Sequence, residues 1–166
     1  MADPKRLVVL KALCSHLEAQ VRTTNGFQHD LQGRVFRGRS TFGQEDPLPM
    51  VSVLEAPRAD QQLVTAKNSV QVDDWQLYFQ GWAQDDANNP TDPAYRLAAD
   101  VKQALGMLID RRPESAPYFL LGNLILDLMI GPGTVRPPDQ VSSWAYFYLP
   151  VTVKLKESLT DPYRLT

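Results

Sequence analysis

Few side chains in this sequence have the type and spacing that catalysis needs. The chain holds two histidines, His16 and His29, and one cysteine, Cys14. Cys14 and His16 stand two residues apart on a predicted helix, and residues at that spacing do not face each other. Cys14 shares its helix face with Leu10 and Leu17, which makes it a buried inert thiol. A single cysteine closes no internal disulfide and builds no zinc site alone. No serine lies in a nucleophile elbow, and no Gly-rich phosphate loop, HExxH or CxxC is present. Asp73-Asp74 and Asp85-Asp86 are adjacent carboxylates, but neighbours on a strand point to opposite faces and form no dyad. The acidic turn from Asp85 to Asp92 matches no EF-hand spacing. The expectation is a chain with no catalytic residue, no cofactor and no metal.

Binding chemistry is better represented. Arg34, Arg37 and Arg39 cluster around one short predicted strand. They read either as charges that protect an edge strand or as an electrostatic contact with a partner's acidic surface or passing DNA. Aromatic residues supply the other signal. Along one predicted strand Trp75, Leu77, Phe79 and Gly81 share a face, while Gln76, Tyr78, Gln80 and Trp82 share the opposite one. Along another, Ala145, Phe147, Leu149, Val151 and Val153 oppose Trp144, Tyr146, Tyr148 and Thr152. A small sheet that is apolar on both faces must cover both. Two helices can cover one; the other falls either to the chain's own loops or to another subunit. In the second case Tyr78, Trp82, Trp144, Tyr146 and Tyr148 are the candidate subunit interface.

These positions need elements to hold them. An apolar stripe of Leu10, Leu13, Cys14, Leu17 and Val21 predicts a helix from about Pro4 to Arg22, with Asp3 as N-cap and Pro4 at the first helical position. Strands follow at Arg34–Arg37, Met50–Glu55 and Ser69–Ala83, with polar loops from Arg39 to Asp46 and Pro57 to Lys67. A second helix opens at Thr91-Asp92-Pro93, carries Leu97, Ala98, Val101, Ala104, Leu105, Leu108 and Ile109 as its apolar face, and stops at Arg111-Arg112-Pro113. Strands at Leu120–Ile130 and Ser143–Lys156 complete the order, and Pro150 predicts an edge position or a bulge for the last. The expected fold is a single α+β domain: a mainly antiparallel sheet of about five strands flanked by two helices.

Composition agrees with that picture. A chain of 166 residues with 43 % hydrophobic and 22 % charged residues has enough apolar material for one core, so disorder is not its main state. The net charge of −2 lacks the basic excess of a dedicated nucleic-acid binder. The apolar run Leu7–Leu10 is too short for the core of a signal peptide. The stretch from Tyr118 to Ile130 falls short of a membrane span. Synthesis in the cytoplasm, with no membrane partner, is the expectation.

The order of motifs carries one resemblance. The opening "LVVLKALCSHLEAQV" is followed by "GRVFRG", the proline-led "LPMVSVLEAP" and the long "WQLYFQGWA". An acidic, Asn-rich turn then leads into "DPAYRLAADVKQALG". From about Leu7 to Leu108 this layout resembles the tail terminator (tail completion) proteins of long-tailed bacteriophages, the group that includes the lambda-type minor tail protein U. The resemblance implies a non-enzymatic α+β subunit of a homo-oligomeric, hexameric ring in the virion, assembled in the bacterial host's cytoplasm. The ring would cap the tail-tube protein, end tube polymerisation and meet head-completion or neck proteins, with DNA passing through its lumen. Other neck proteins, a tube subunit, and a small ligand-binding domain or enzyme are the alternatives. Residues 131–166 have no place in that pattern and are read as a lineage-specific extension. No binding residue carries over by position.

Overall fold

The computed structural model describes residues 1–43, 45–57, 69–110 and 120–165. The expected loop from Pro57 to Lys67 and the helix stop at Arg111–Pro113 fall almost wholly outside them. The described chain runs α1 (Lys5–Gln20), a 3-10 turn (Thr23–Asn25), β1 (Val35–Arg37), β2 (Met50–Glu55), β3 (Val70–Trp82), α2 (Asp92–Asp110), β4 (Asp127–Ile130), β5 (Thr134–Arg136) and β6 (Tyr146–Ser158). It is an α+β fold with two helices and one mixed sheet. The strand order is β1-β2-β3-β6-β4, and β5 also pairs with β6. Among the described strands only the β1–β2 pair is parallel.

The backbone of the sheet is the antiparallel pair β3–β6, in register from Val70 opposite Ser158 to Trp82 opposite Tyr146. The predicted alternation holds on both strands. Trp75, Leu77 and Phe79 from β3 and Phe147, Leu149, Val151, Val153 and Leu155 from β6 enter the main core. There they meet Val9, Leu13, Cys14 and Leu17 of α1 and Leu97, Val101, Ala104 and Leu105 of α2. Both helices therefore lie on one face of the sheet. Full burial of each large apolar side chain stabilises by about 2 kcal/mol. The ion pairs of Arg6 with Asp73 (2.7 Å) and Glu157 (3.2 Å) are one-third exposed on the arginine side, and pairs of that kind contribute roughly 1 kcal/mol or less. The core, not charge, holds the helices down.

Two close approaches fix how β6 lies. A Cβ at Gly81 would sit 2.1 Å from the Phe147 ring, so only glycine lets that ring cross β3 on the helix side. A Cβ at Gly131 would sit 2.8 Å from Pro150 Cγ.

Several expectations need correction. Pro150 is not at an edge: β6 is paired with β3 on one side and with β4 and β5 on the other. Its carbonyl accepts the Gly131 N–H at 2.8 Å, on the β4–β5 side. The proline nitrogen, which has no hydrogen to donate, faces the same side. There the neighbouring strand is broken between Ile130 and Thr134, so no ladder bond is lost. The predicted strand Leu120–Ile130 is a strand only from Asp127. Leu121, Gly122 and Asn123 all take positive φ (56°, 66° and 69°) and turn the chain, closing a bridge between Leu120 and Ile125. β5 lies between the predicted strands Leu120–Ile130 and Ser143–Lys156, where the sequence predicts none. Asp3 does not cap α1: Pro4 is the N-cap residue and gives no side-chain bond, while the Lys5 N–H is met by the Pro162 carbonyl at 2.8 Å. Asp3 instead pairs with Lys11. Residues 131–166 supply β5 and the interior strand β6 of the sheet.

Candidate functional site

On the face away from the helices the sheet changes character along its length. At one end Met50, Trp82 and Tyr146 lie in one row across β2, β3 and β6 and are buried. Phe36, Phe42, Leu48, Trp144 and Tyr148 pack around them. In the next two rows Ser52 and Gln80 are buried beside half-buried Tyr148, and Leu54, Tyr78 and Pro150 are half-buried. Further along, Met129 is 46 % exposed beside Thr152. Beyond it lie the charged row of Asp74, Lys154 and Asp127 and then exposed Val72 and Val70.

Two loops close the aromatic end. In the first, Phe42 packs on Trp82 with ring centroids 4.0 Å apart. The Arg39 guanidinium lies over Phe36 (4.9 Å) and Phe42 (4.6 Å) and donates to Asp46 at 2.7 Å. Asp46 also accepts the Gly43 N–H at 2.8 Å, and that bond, with the arginine, holds its carboxyl below the usual range. In the second loop, Asp139 accepts the Tyr146 hydroxyl at 2.8 Å and the N–H groups of Val141 (2.8 Å) and Ser142 (3.1 Å). The Tyr146 hydroxyl, ahead of the Val141 N–H, draws the Asp139 carboxyl down in turn.

Between the two loops is a cleft of about 260 Å³. Gln80 and Trp82 form part of its wall, with Thr41 and Phe42 from one loop and Ser143 and Trp144 from the other. Gln80 is 3 % exposed, and its carboxamide makes no hydrogen bond to a described residue. Among the described residues no charged side chain lines the cleft.

The arginines named from the sequence do not converge. Arg34 donates to the Leu48 carbonyl at 2.8 Å, and Arg39 is held by Asp46 and two rings. Arg37 is exposed and reaches the surroundings of Cys14 on the helix side. The aromatic set divides as well. Trp82 and Tyr146 are buried inside the chain, at 3 % and 4 % exposure, so the chain's own loops cover that end of the face. Tyr78, Trp144 and Tyr148 retain surface.

The other candidate groups are occupied structurally. Burial pushes the Cys14 thiol up, away from the thiolate a nucleophile needs. His16 Nε2 lies 2.6 Å from the Ala104 carbonyl and ties α1 to α2. Asp73 binds Arg6, Asp85 accepts the Ala145 N–H at 2.7 Å, and Asp86 accepts those of Asn88 and Asn89. Among the described residues no group of three or more His, Cys, Asp or Glu side chains is placed to hold a metal ion. No helix there is long and apolar enough to cross a membrane.

Two groups escaped the sequence reading. Asp100, 4 % exposed, accepts the N–H groups of Gln28 (3.1 Å) and His29 (3.0 Å), and its carboxylate lies 2.7 Å from His29 Nδ1. An acidic residue on the stripe between Leu97 and Ala104 was the available signal. Gln80 had one too, as an amide flanked on its face by Tyr78 and Trp82. The sequence matches no protein-family model and no curated protein.

Proposed function

We propose that this chain is a structural subunit of a homo-oligomeric ring that caps a phage tail tube, ends tube polymerisation and joins the tail to neck proteins. The motif order from about Leu7 to Leu108 suggests the family. The observation that carries the reading is the uneven cover of the sheet. Both helices and the main core are on one face, while Leu54, Tyr78, Pro150 and Met129 leave a partly exposed apolar band on the other. A band next to a closed, rigid aromatic cluster is suited to a neighbour's surface. Identical subunits joined head to tail through such a band close into a ring when the rotation per step permits. In this reading Tyr78 and Tyr148 belong to the subunit contact, and Trp82 and Tyr146 stiffen the surface from beneath. Arg37 is the arginine of the three left to meet a partner or DNA.

Light scattering on the purified protein, alone and then with tail-tube protein, tests the reading. A closed species of about six subunits, formed alone or on the tube, supports it. A tube subunit would instead stack without limit. A monomer that leaves tube polymerisation unchanged would sink it.

A further inference from the structure

The cleft beside Gln80 has a composition that neither the core nor the subunit contact requires. A carboxamide carries two donors and an acceptor. One that is 3 % exposed and makes no bond to a described residue keeps all of them for whatever enters the space its side chain lines. Left dry, such a group costs about 1–3 kcal/mol. Around it stand two indoles, Trp82 and Trp144, and the hydroxyls of Thr41 and Ser143.

The lining limits the occupant. The described residues of the wall carry no charged side chain, so from them a phosphate, a carboxylate or a metal cation would gain no compensation for its lost hydration. Arg39, next to the cleft in sequence, is already held by Asp46 at 2.7 Å and is not free to balance a nucleotide's phosphate. A peptide adding as a strand needs an open backbone edge. β3 has none at this point, since Gln80 is paired with Ser52 on one side and Tyr148 on the other. The volume of about 260 Å³ falls just below the range of sites for drug-sized ligands, which begins near 300 Å³, and suits one ring better than a chain. What remains is a neutral, compact molecule with several hydroxyls and an apolar C–H face to lie against an indole.

We propose that the cleft between residues 40–43 and 141–144 binds a neutral sugar of monosaccharide size, with the Gln80 carboxamide as its central hydrogen-bonding group and Trp144 as its stacking surface. This site is independent of ring assembly, and failure of one assignment leaves the other standing.

The test is a titration of 15N-labelled protein with glucose, galactose, mannose and N-acetylglucosamine, followed through the indole N–H signals. Trp75 lies on the helix side, where it donates to Glu55 at 3.3 Å, and serves as the internal control. The expected result is a saturable shift of the Trp82 and Trp144 signals by at least one sugar, with Trp75 unmoved. Gln80→Leu should weaken that sugar about tenfold. Should this variant lose its dispersed spectrum, Thr41→Val at the exposed rim gives the reading with an expected loss of about threefold. The proposal is overturned if no sugar gives a saturable shift. It is also overturned if the folded variants bind as the parent does, or if an acetylated dipeptide amide or adenosine moves the same signals at lower concentration.

Discussion

Asp100 is a buried carboxylate that joins α2 to the segment following α1, and its loss should be felt well beyond its own position. Asp100→Ala leaves two backbone N–H groups and the His29 ring without their acceptor, which should cost about 3 kcal/mol. Urea unfolding would register this as a lower midpoint at unchanged slope. Asp139 and Tyr146 offer a second residue-scale prediction, in pH. The bond to Tyr146 and the Val141 N–H lower the Asp139 carboxyl below its ordinary 3.8. Such a group stabilises the fold above 3.8, and that contribution is lost as pH falls through the lower folded value. Burial, then the bond to Asp139, raises Tyr146 above its ordinary 10. Its contribution is complete below 10 and is lost as pH rises beyond it. Emission from Trp144 should therefore change at both extremes. Asp139→Asn should flatten the acid limb and Tyr146→Phe the alkaline one; limbs that persist in both variants would place the titration elsewhere.

At the level of elements, β3 and β6 depend on one missing side chain. Gly81→Ala puts a methyl within the Phe147 ring and should destabilise by about 2 kcal/mol. Adding Phe147→Leu should recover part of that loss, a coupling that a double-mutant cycle in urea would measure. These strands were legible in the sequence because their period of two runs unbroken through Trp75–Gly81 and Phe147–Val153, and β2 was legible between its proline and its loop. Leu124, Leu126, Leu128 and Ile130 show the same period, yet only the end of that run is strand. The positive φ of Leu121, Gly122 and Asn123 interrupts it locally, and alternation carries no information about such a turn. β5 is three residues long and exists through its pairing with β6, a contact that no local pattern encodes. Pro150 misled for a related reason: the gap that accommodates it belongs to the neighbouring strands. The site shows the same division. Its aromatic face was visible as periodicity. The cleft was not, because its wall is placed by Phe42 on Trp82 and by Asp46 on Arg39, both set by loop geometry.

For the molecule as a whole, assembly and folding make different demands on the same sheet. If the half-exposed band is the subunit contact, Tyr78→Asp should abolish the ring in light scattering while changing thermal unfolding of the monomer little. A ring that survives the substitution would move the contact to another face. The pairing of β3 with β6 has its own consequence during synthesis. Trp82 waits for Tyr146 and Val70 for Ser158, with α2 and all of β4 and β5 made in between. At ordinary elongation rates of roughly 5–20 residues per second, β3 emerges from the ribosome several seconds before the strand that covers its edge. For that interval the nascent chain offers an open, apolar strand edge to its surroundings. Crowded polysomes and slow codons after β3 should both lower soluble yield, and a holdase bound to the nascent chain should restore it.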